Sequence, residues 1–118
     1  MSRRDLDPQK FRQMLSDRLA EVARLEALEH EASRPVELDQ QSVGRLSRMD
    51  AMQMQAIAAE HERRFRAEHH RILAALKRLD AGEFGYCLSC DAKIPARRLE
   101  LDPSVTLCVK CAEAARHH

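Results

Sequence analysis

The sequence predicts a mainly α protein: an antiparallel helical hairpin (coiled coil) followed by a small C-terminal module organised by four cysteines. Three observations lead there. Of 118 residues, 17 are Ala and 14 Leu while aromatics make up only 3%, so the chain suits long helices and lacks the large side chains of a sandwich or α/β core. Two stretches repeat apolar residues at helical spacing, with Pro35 between them. Cys87, Cys90, Cys108 and Cys111 all lie in the last third. Residues 1–81 therefore read as the hairpin, with its tip near 34–50, and residues 82–118 as the cysteine module with a short C-terminal helix.

The first helix is expected to begin near Pro8. Asp7 offers a capping carboxylate, and Pro at the first helical position loses no hydrogen bond that a helix would use. Phe11, Leu15, Leu19, Val22, Leu25 and Leu28 then mark one face, and Ser33-Arg34-Pro35 ends it. The second helix is expected to start near Asp39 or Ser42 and to run to Asp80-Ala81, with Gly82 as a left-handed stop. At roughly forty residues it is about 58 Å long. Its seam is Ile57, Ala58, Phe65, Ile72, Leu76 and Leu79, with the seven-residue step of a coiled coil from Phe65 to Ile72 to Leu79. His61 or Glu62, and Glu68 or His69, interrupt it. Neither helix can bury its stripe alone. Folding back as an antiparallel pair buries both, and no third long helix is present to complete a compact bundle.

Two C-x2-C knuckles, Cys87-Leu88-Ser89-Cys90 and Cys108-Val109-Lys110-Cys111, are separated by 17 residues. That is the spacing of a tetrathiolate zinc ribbon. Two intervening residues let the chain turn tightly enough for both sulfurs of a knuckle to reach one ion, and redox-inert Zn²⁺ accepts the tetrahedral set. Two disulfides require an oxidising compartment, and a redox pair explains one knuckle but not two. With four protein ligands no position is open for a catalytic water, so the expected role is structural. Lys93, Arg97, Arg98 and Lys110 are near in sequence to offset the negative cage. The histidines add no second metal site: His61 and His69 are eight apart with no third ligand of matching spacing.

Charge narrows the function classes. Twenty Lys+Arg against 19 Asp+Glu leave +1, whereas a protein held to nucleic acid by counterion release is normally far more basic. Arg63, Arg64, Arg66 and Arg71 form a locally basic stretch, read as a solvated face balanced by Glu60, Glu62 and Glu68. Met49, Met52 and Met54 read as seam and edge packing, since their spacing spreads them round the helix. No apolar run approaches the 18 or so residues of a membrane span, and the charged start Met1-Ser2-Arg3-Arg4-Asp5 has no apolar core of a secretory signal. A cytoplasmic protein is expected, with no membrane. No phosphate-binding Gly loop or nucleophile motif occurs, so no enzyme is expected.

Gly85-Tyr86-Cys87-Leu88-Ser89-Cys90, then Ile94-Pro95-Ala96-Arg97-Arg98-Leu99, then Pro103 to Cys111 resemble the DksA/TraR (DnaK suppressor) family. The match is specific over 82–111, and the family also carries an antiparallel coiled coil before its zinc finger. The resemblance implies a bacterial transcription regulator that binds RNA polymerase through its secondary channel, without catalysis or sequence-specific DNA binding. The alternatives are a zinc-ribbon adaptor for some other protein and a nucleic-acid-binding zinc finger. Asp91 stands where the family often has Gly, a substitution that left-handed geometry tolerates. The family's tip motif D-x-x-D-x-A is absent, leaving Asp39 and Asp50 as tip candidates beside their readings as a helix cap and a solvated helical residue. Some members act with the alarmone guanosine tetraphosphate. Counting back from Phe84-Gly85-Tyr86-Cys87, Arg64 and Arg71 match the helical effector contacts, but Ala112 replaces the lysine after the last ligand. Weak dependence on the alarmone is the expectation.

Overall fold

The computed structural model describes residues 3–34 and 45–116. The described residues form four helices: α1 (Pro8–Ala32), α2 (Arg45–Ala81), α3 (Ala96–Leu101) and α4 (Val109–Arg116). Among the described residues, β structure is limited to one antiparallel bridge between Tyr86 and Lys93. The mainly α class holds.

The helix ends follow from local chemistry. Asp7 Oδ1 accepts a 3.0 Å bond from the Gln9 amide, so the expected cap forms at the start of α1. Beyond Ala32, the Ser33 amide bonds back to the Glu29 carbonyl at 2.9 Å, and the Ser33 hydroxyl donates to the His30 carbonyl. At the end of α2, the amides of Gly82 and Glu83 bond the carbonyls of Leu79 and Arg78. That is a Schellman closure, and it requires the left-handed φ of +72° that Gly82 adopts without steric cost. The expected start of the second helix at Asp39 or Ser42, and most of the tip, lie outside the described residues.

The chain divides into two compact units, Met1–Leu19 with His70–His118, and Ala20–His69. In the first, the opening turns of α1 pair with the closing turns of α2, and Arg12 meets Asp80 at 2.7 Å. Phe11, Leu15, Ile72 and Ala75 are buried there with Leu6, Phe84, Ile94 and Leu99. The rings of Phe11 and Phe84 lie 5.3 Å apart in a tilted pair. Lys10 and Glu100 add an exposed ion pair at 3.1 Å.

The second unit also pairs its helices antiparallel: Glu26 meets Arg66 and His69, His30 meets Glu62, and Gln55 reaches the Ser33 carbonyl. Its apolar seam is thin, with Val22 and Ala58 buried and Leu25 and Phe65 half-buried. Two expected seam residues are not in it. Leu28 is 56% exposed and Ile57 57% exposed. The packed line on α1 runs from Val22 to Glu26 and Glu29, and on α2 it runs through Ala58. A side chain one residue away points about 100° off such a line.

The polar interruptions resolve to Glu62 and His69. Glu62 is only 7% exposed, between His30 at 3.0 Å and Arg66 at 2.9 Å. A carboxylate taken out of water needs such partners. The His30 hydrogen bond holds the Glu62 carboxyl below its ordinary value of 4.5, and His69 does the same for Glu26.

Two outcomes are expected. Phe11→Ala lowers stability by about 3–5 kcal/mol through lost burial and a residual cavity, whereas the exposed Ile57→Ala changes it by at most about 0.5 kcal/mol, both read from urea midpoints of the helical signal. The second concerns pH. A carboxyl with a lowered folded pKa contributes stability that is present above its unfolded value and is lost as pH falls through its folded value. Glu62→Gln is therefore less stable than the parent at neutral pH, and the gap closes as pH drops below about 4. A gap that persists at pH 2–3 would contradict the assigned pairing.

Candidate metal centre

The first knuckle is a short hairpin across residues 85–94. The Ile94 amide bonds the Gly85 carbonyl and the Cys87 amide bonds the Ala92 carbonyl, each at 2.8 Å. The Asp91 amide closes the turn onto the Cys87 carbonyl at 2.9 Å. Asp91 takes the left-handed conformation, φ +62°, as its position in the knuckle demands. This turn brings Cys87 and Cys90 round to one side.

The second knuckle is set by a loop and a helix start. Asp102 Oδ1 accepts from the Ser104 amide at 3.0 Å and from its hydroxyl at 2.7 Å, folding the chain back after α3. Cys108 directly precedes α4, and the amides of Cys111 and Ala112 turn back toward its sulfur and its carbonyl. The two knuckles are tied together by the Leu88 amide on the Thr106 carbonyl at 2.9 Å. Arg98 braces the same loop by donating to the Leu107 carbonyl at 3.2 Å.

All four sulfurs gather, each within 4.8 Å of the others, and none is in a disulfide. The Sγ atoms of Cys90 and Cys108 are 3.8 Å apart. A tetrahedral site with Zn–S near 2.3 Å requires S···S of about 3.8 Å, so the donor set fits the metal. Electrostatics agree. Backbone amides led by that of Cys108 hold the Cys87 thiol down to about 6. Cys111, surrounded by the sulfurs of Cys108, Cys90 and Cys87, is pushed up to about 12. Four thiolates so close ionise together only around a cation. The structural zinc of this module is what its four sulfurs would hold, and it supplies cross-linking rather than chemistry.

The other candidates are placed differently. Asp50 is an exposed residue of α2 in the second unit, and Asp39 lies outside the described residues. Arg64 is exposed in the second unit, 3.4 Å from Glu60, while Arg71 is exposed in the first. Ala112 is half-buried on α4. Sequence reasoning gave no role to Arg3 or Asp102. Asp102 and Ser104 carry a readable turn signal, whereas Arg3 acts across more than eighty residues.

Residues 82–117 match the family model described as the prokaryotic DksA/TraR C4-type zinc finger. The RNA polymerase-binding transcription factor DksA of Haemophilus influenzae is 47% identical over 45 residues, 38% of this chain and 31% of that protein. The Escherichia coli protein of the same name is 42% identical over 45 residues, 38% of this chain and 30% of its own. The match thus spans less than a third of the length of these curated relatives. The solved structure of transcription factor DksA2 from Pseudomonas aeruginosa superposes with a TM-score of 0.69 at 24% identity, covering 93% of this chain and 83% of the other. That likeness extends the agreement in fold beyond the finger.

Removing the metal tests the centre. One zinc per chain is expected by elemental analysis. Cys108→Ser, or chelation, raises hydrogen exchange across 82–116 while α1 and α2 keep much of their helical signal. A metal-free preparation in which 82–116 stays protected would contradict a zinc-dependent fold.

Proposed function

We propose, for a chain whose residues 82–117 belong to the prokaryotic DksA/TraR C4-type zinc-finger family, that it regulates transcription by binding RNA polymerase through the secondary channel. One combination carries the reading: a match to the C4-type finger family over residues 82–117, with 45 residues 42–47% identical to polymerase-binding factors, in a chain sharing the fold of DksA2 over 93% of its length. In this reading residues 1–81 are the arm offered to the enzyme. Residues 82–118 form the finger, with Cys87, Cys90, Cys108 and Cys111 holding one structural zinc. The protein works without catalysis of its own, in the cytoplasm. No described helix is long and apolar enough to cross a membrane. The net charge of +1 suits a protein partner better than a phosphate backbone.

The acidic tip and the effector site are parts of the same proposal. Asp50, exposed on α2, and Asp39 are the carboxylates available to act near the enzyme's active centre. Arg64 and Arg71 are the exposed cations for the alarmone, with guanidinium forks that suit phosphate oxygens. Ala112 removes one expected charged contact, typically worth about 1.5–3 kcal/mol, so alarmone binding is at least about tenfold weaker than with a lysine there.

One set of assays tests all of this. Purified polymerase is expected to retain the zinc-loaded protein, and failure to do so removes the reading in favour of another protein partner. Asp39→Ala or Asp50→Ala lowers the transcriptional effect while leaving polymerase affinity largely intact. The unaltered protein responds little to guanosine tetraphosphate, and Ala112→Lys increases the response.

A further inference from the structure

The segment before α1 reaches the base of the first knuckle. Arg3 lies 82 residues from Gly85, yet its side chain is only 4% exposed. Its Nη1 donates to the Gly85 carbonyl at 2.8 Å and also to the Ile94 carbonyl. These are the two residues that close the base of the 85–94 hairpin, whose other end carries Cys87 and Cys90. Asp5 holds the guanidinium from the outside, with Nη2 to Oδ2 at 2.6 Å and Nε to Oδ1 at 3.1 Å. Neighbouring Leu6 is buried beside it.

Gly85 is shaped to admit this group. Its φ is +96°, and a Cβ there would stand 2.8 Å from Leu6 Cδ1 and 2.9 Å from Arg3 Cδ. The hairpin itself has one ladder bridge, Tyr86 with Lys93, and two-stranded hairpins of this size are marginal in water without outside support. A charged donor spans its base, and metal at the knuckle would hold its other end. Charge-assisted hydrogen bonds to buried carbonyls are among the stronger polar contacts.

We infer that Arg3 is a positioning residue for the metal centre: it clamps the base of the first knuckle so that zinc occupancy and docking of residues 3–7 favour one another. The clamp preorganises Cys87 and Cys90, and by linkage whatever Arg3 contributes to zinc affinity, zinc returns to the docking of Arg3. Groups that orient metal ligands from behind commonly alter metal affinity by tenfold or more when removed. Loss of zinc then frees the segment 3–7 as well as the finger. This rests on the zinc reading of the four cysteines.

The test is zinc competition against a chromogenic chelator in the full-length protein. The parent is measured first: failure to bind zinc would remove the metal reading itself. With a zinc-binding parent, Arg3→Met is expected to hold zinc about tenfold more weakly. Gly85→Ala, which displaces the guanidinium, also weakens it. Arg3→Lys, which keeps a cation with donors for both carbonyls, recovers part of the loss. Lys10→Met, which removes the exposed pair with Glu100 and the ammonium 5.8 Å from the Phe11 ring centroid but no contact to the knuckle, leaves affinity unchanged. Equal affinity in Arg3→Met and parent would overturn the clamp, as would Arg3→Lys behaving like Arg3→Met. The reciprocal effect is read in the unaltered protein, independently of how any variant folds. Trypsin cuts the Arg3–Arg4 bond slowly with zinc bound and at least several-fold faster after chelation. Equal rates in the two states would overturn the inference.

Discussion

Four sulfur atoms confined within 4.8 Å of one another are the constraint on which the C-terminal third depends. That third contains two helices of 6 and 8 residues and a single bridge, none of which persists alone in water. Thiolates brought so close repel, and uncharged thiols offer only weak hydrogen bonds in return. A divalent cation converts the repulsion into four bonds, and folding becomes metal binding. The sulfurs crowded round Cys111 push its thiol up, which is the repulsion that a cation at the centre would relieve.

The finger's packing draws on the start of the chain as well as on its end. Phe84 is covered by Phe11, Ile94 and Leu99 are fully buried, and Arg3 satisfies two carbonyls at the knuckle's base. The second unit is built on another principle. There the helices meet through Glu26, His30, Glu62, Arg66 and His69, with little apolar area between them. Such pairs are worth little where exposed and need each other where buried. They fix which residues face one another more than they add stability. For an arm that enters a partner, as proposed above, correct register and a charged, non-sticky exterior would serve better than a thick apolar seam.

Function in this reading follows from shape and placement rather than from reactive chemistry. A zinc held by the four sulfurs would have only protein ligands, and the carboxylate that the structure describes on α2, Asp50, is exposed on a helix rather than set in a pocket. In the proposed function such a protein would present a few charged groups from a long helix, here of 37 residues.

The sequence by itself determined the elements: where α1 starts, through Asp7 and Pro8; where α2 stops, through Gly82; and which four residues form the metal cage. Each is a local signal, a cap, a left-handed glycine or a pair of knuckles, written within a few residues and enforced by backbone sterics or ligand geometry. The seam was legible only in part. Periodicity points to a face, but it does not say whether Ile57 or Ala58 lies on the contact line, because a shift of one residue moves the stripe by about 100° and only the partner helix selects it. Glu62 and His69 in the seam became intelligible once His30, Arg66 and Glu26 stood opposite them. The clamp by Arg3 was decided entirely by tertiary structure. No pattern near Arg3 names Gly85 or Ile94, and only the folded chain brings that guanidinium to two carbonyls more than eighty residues away.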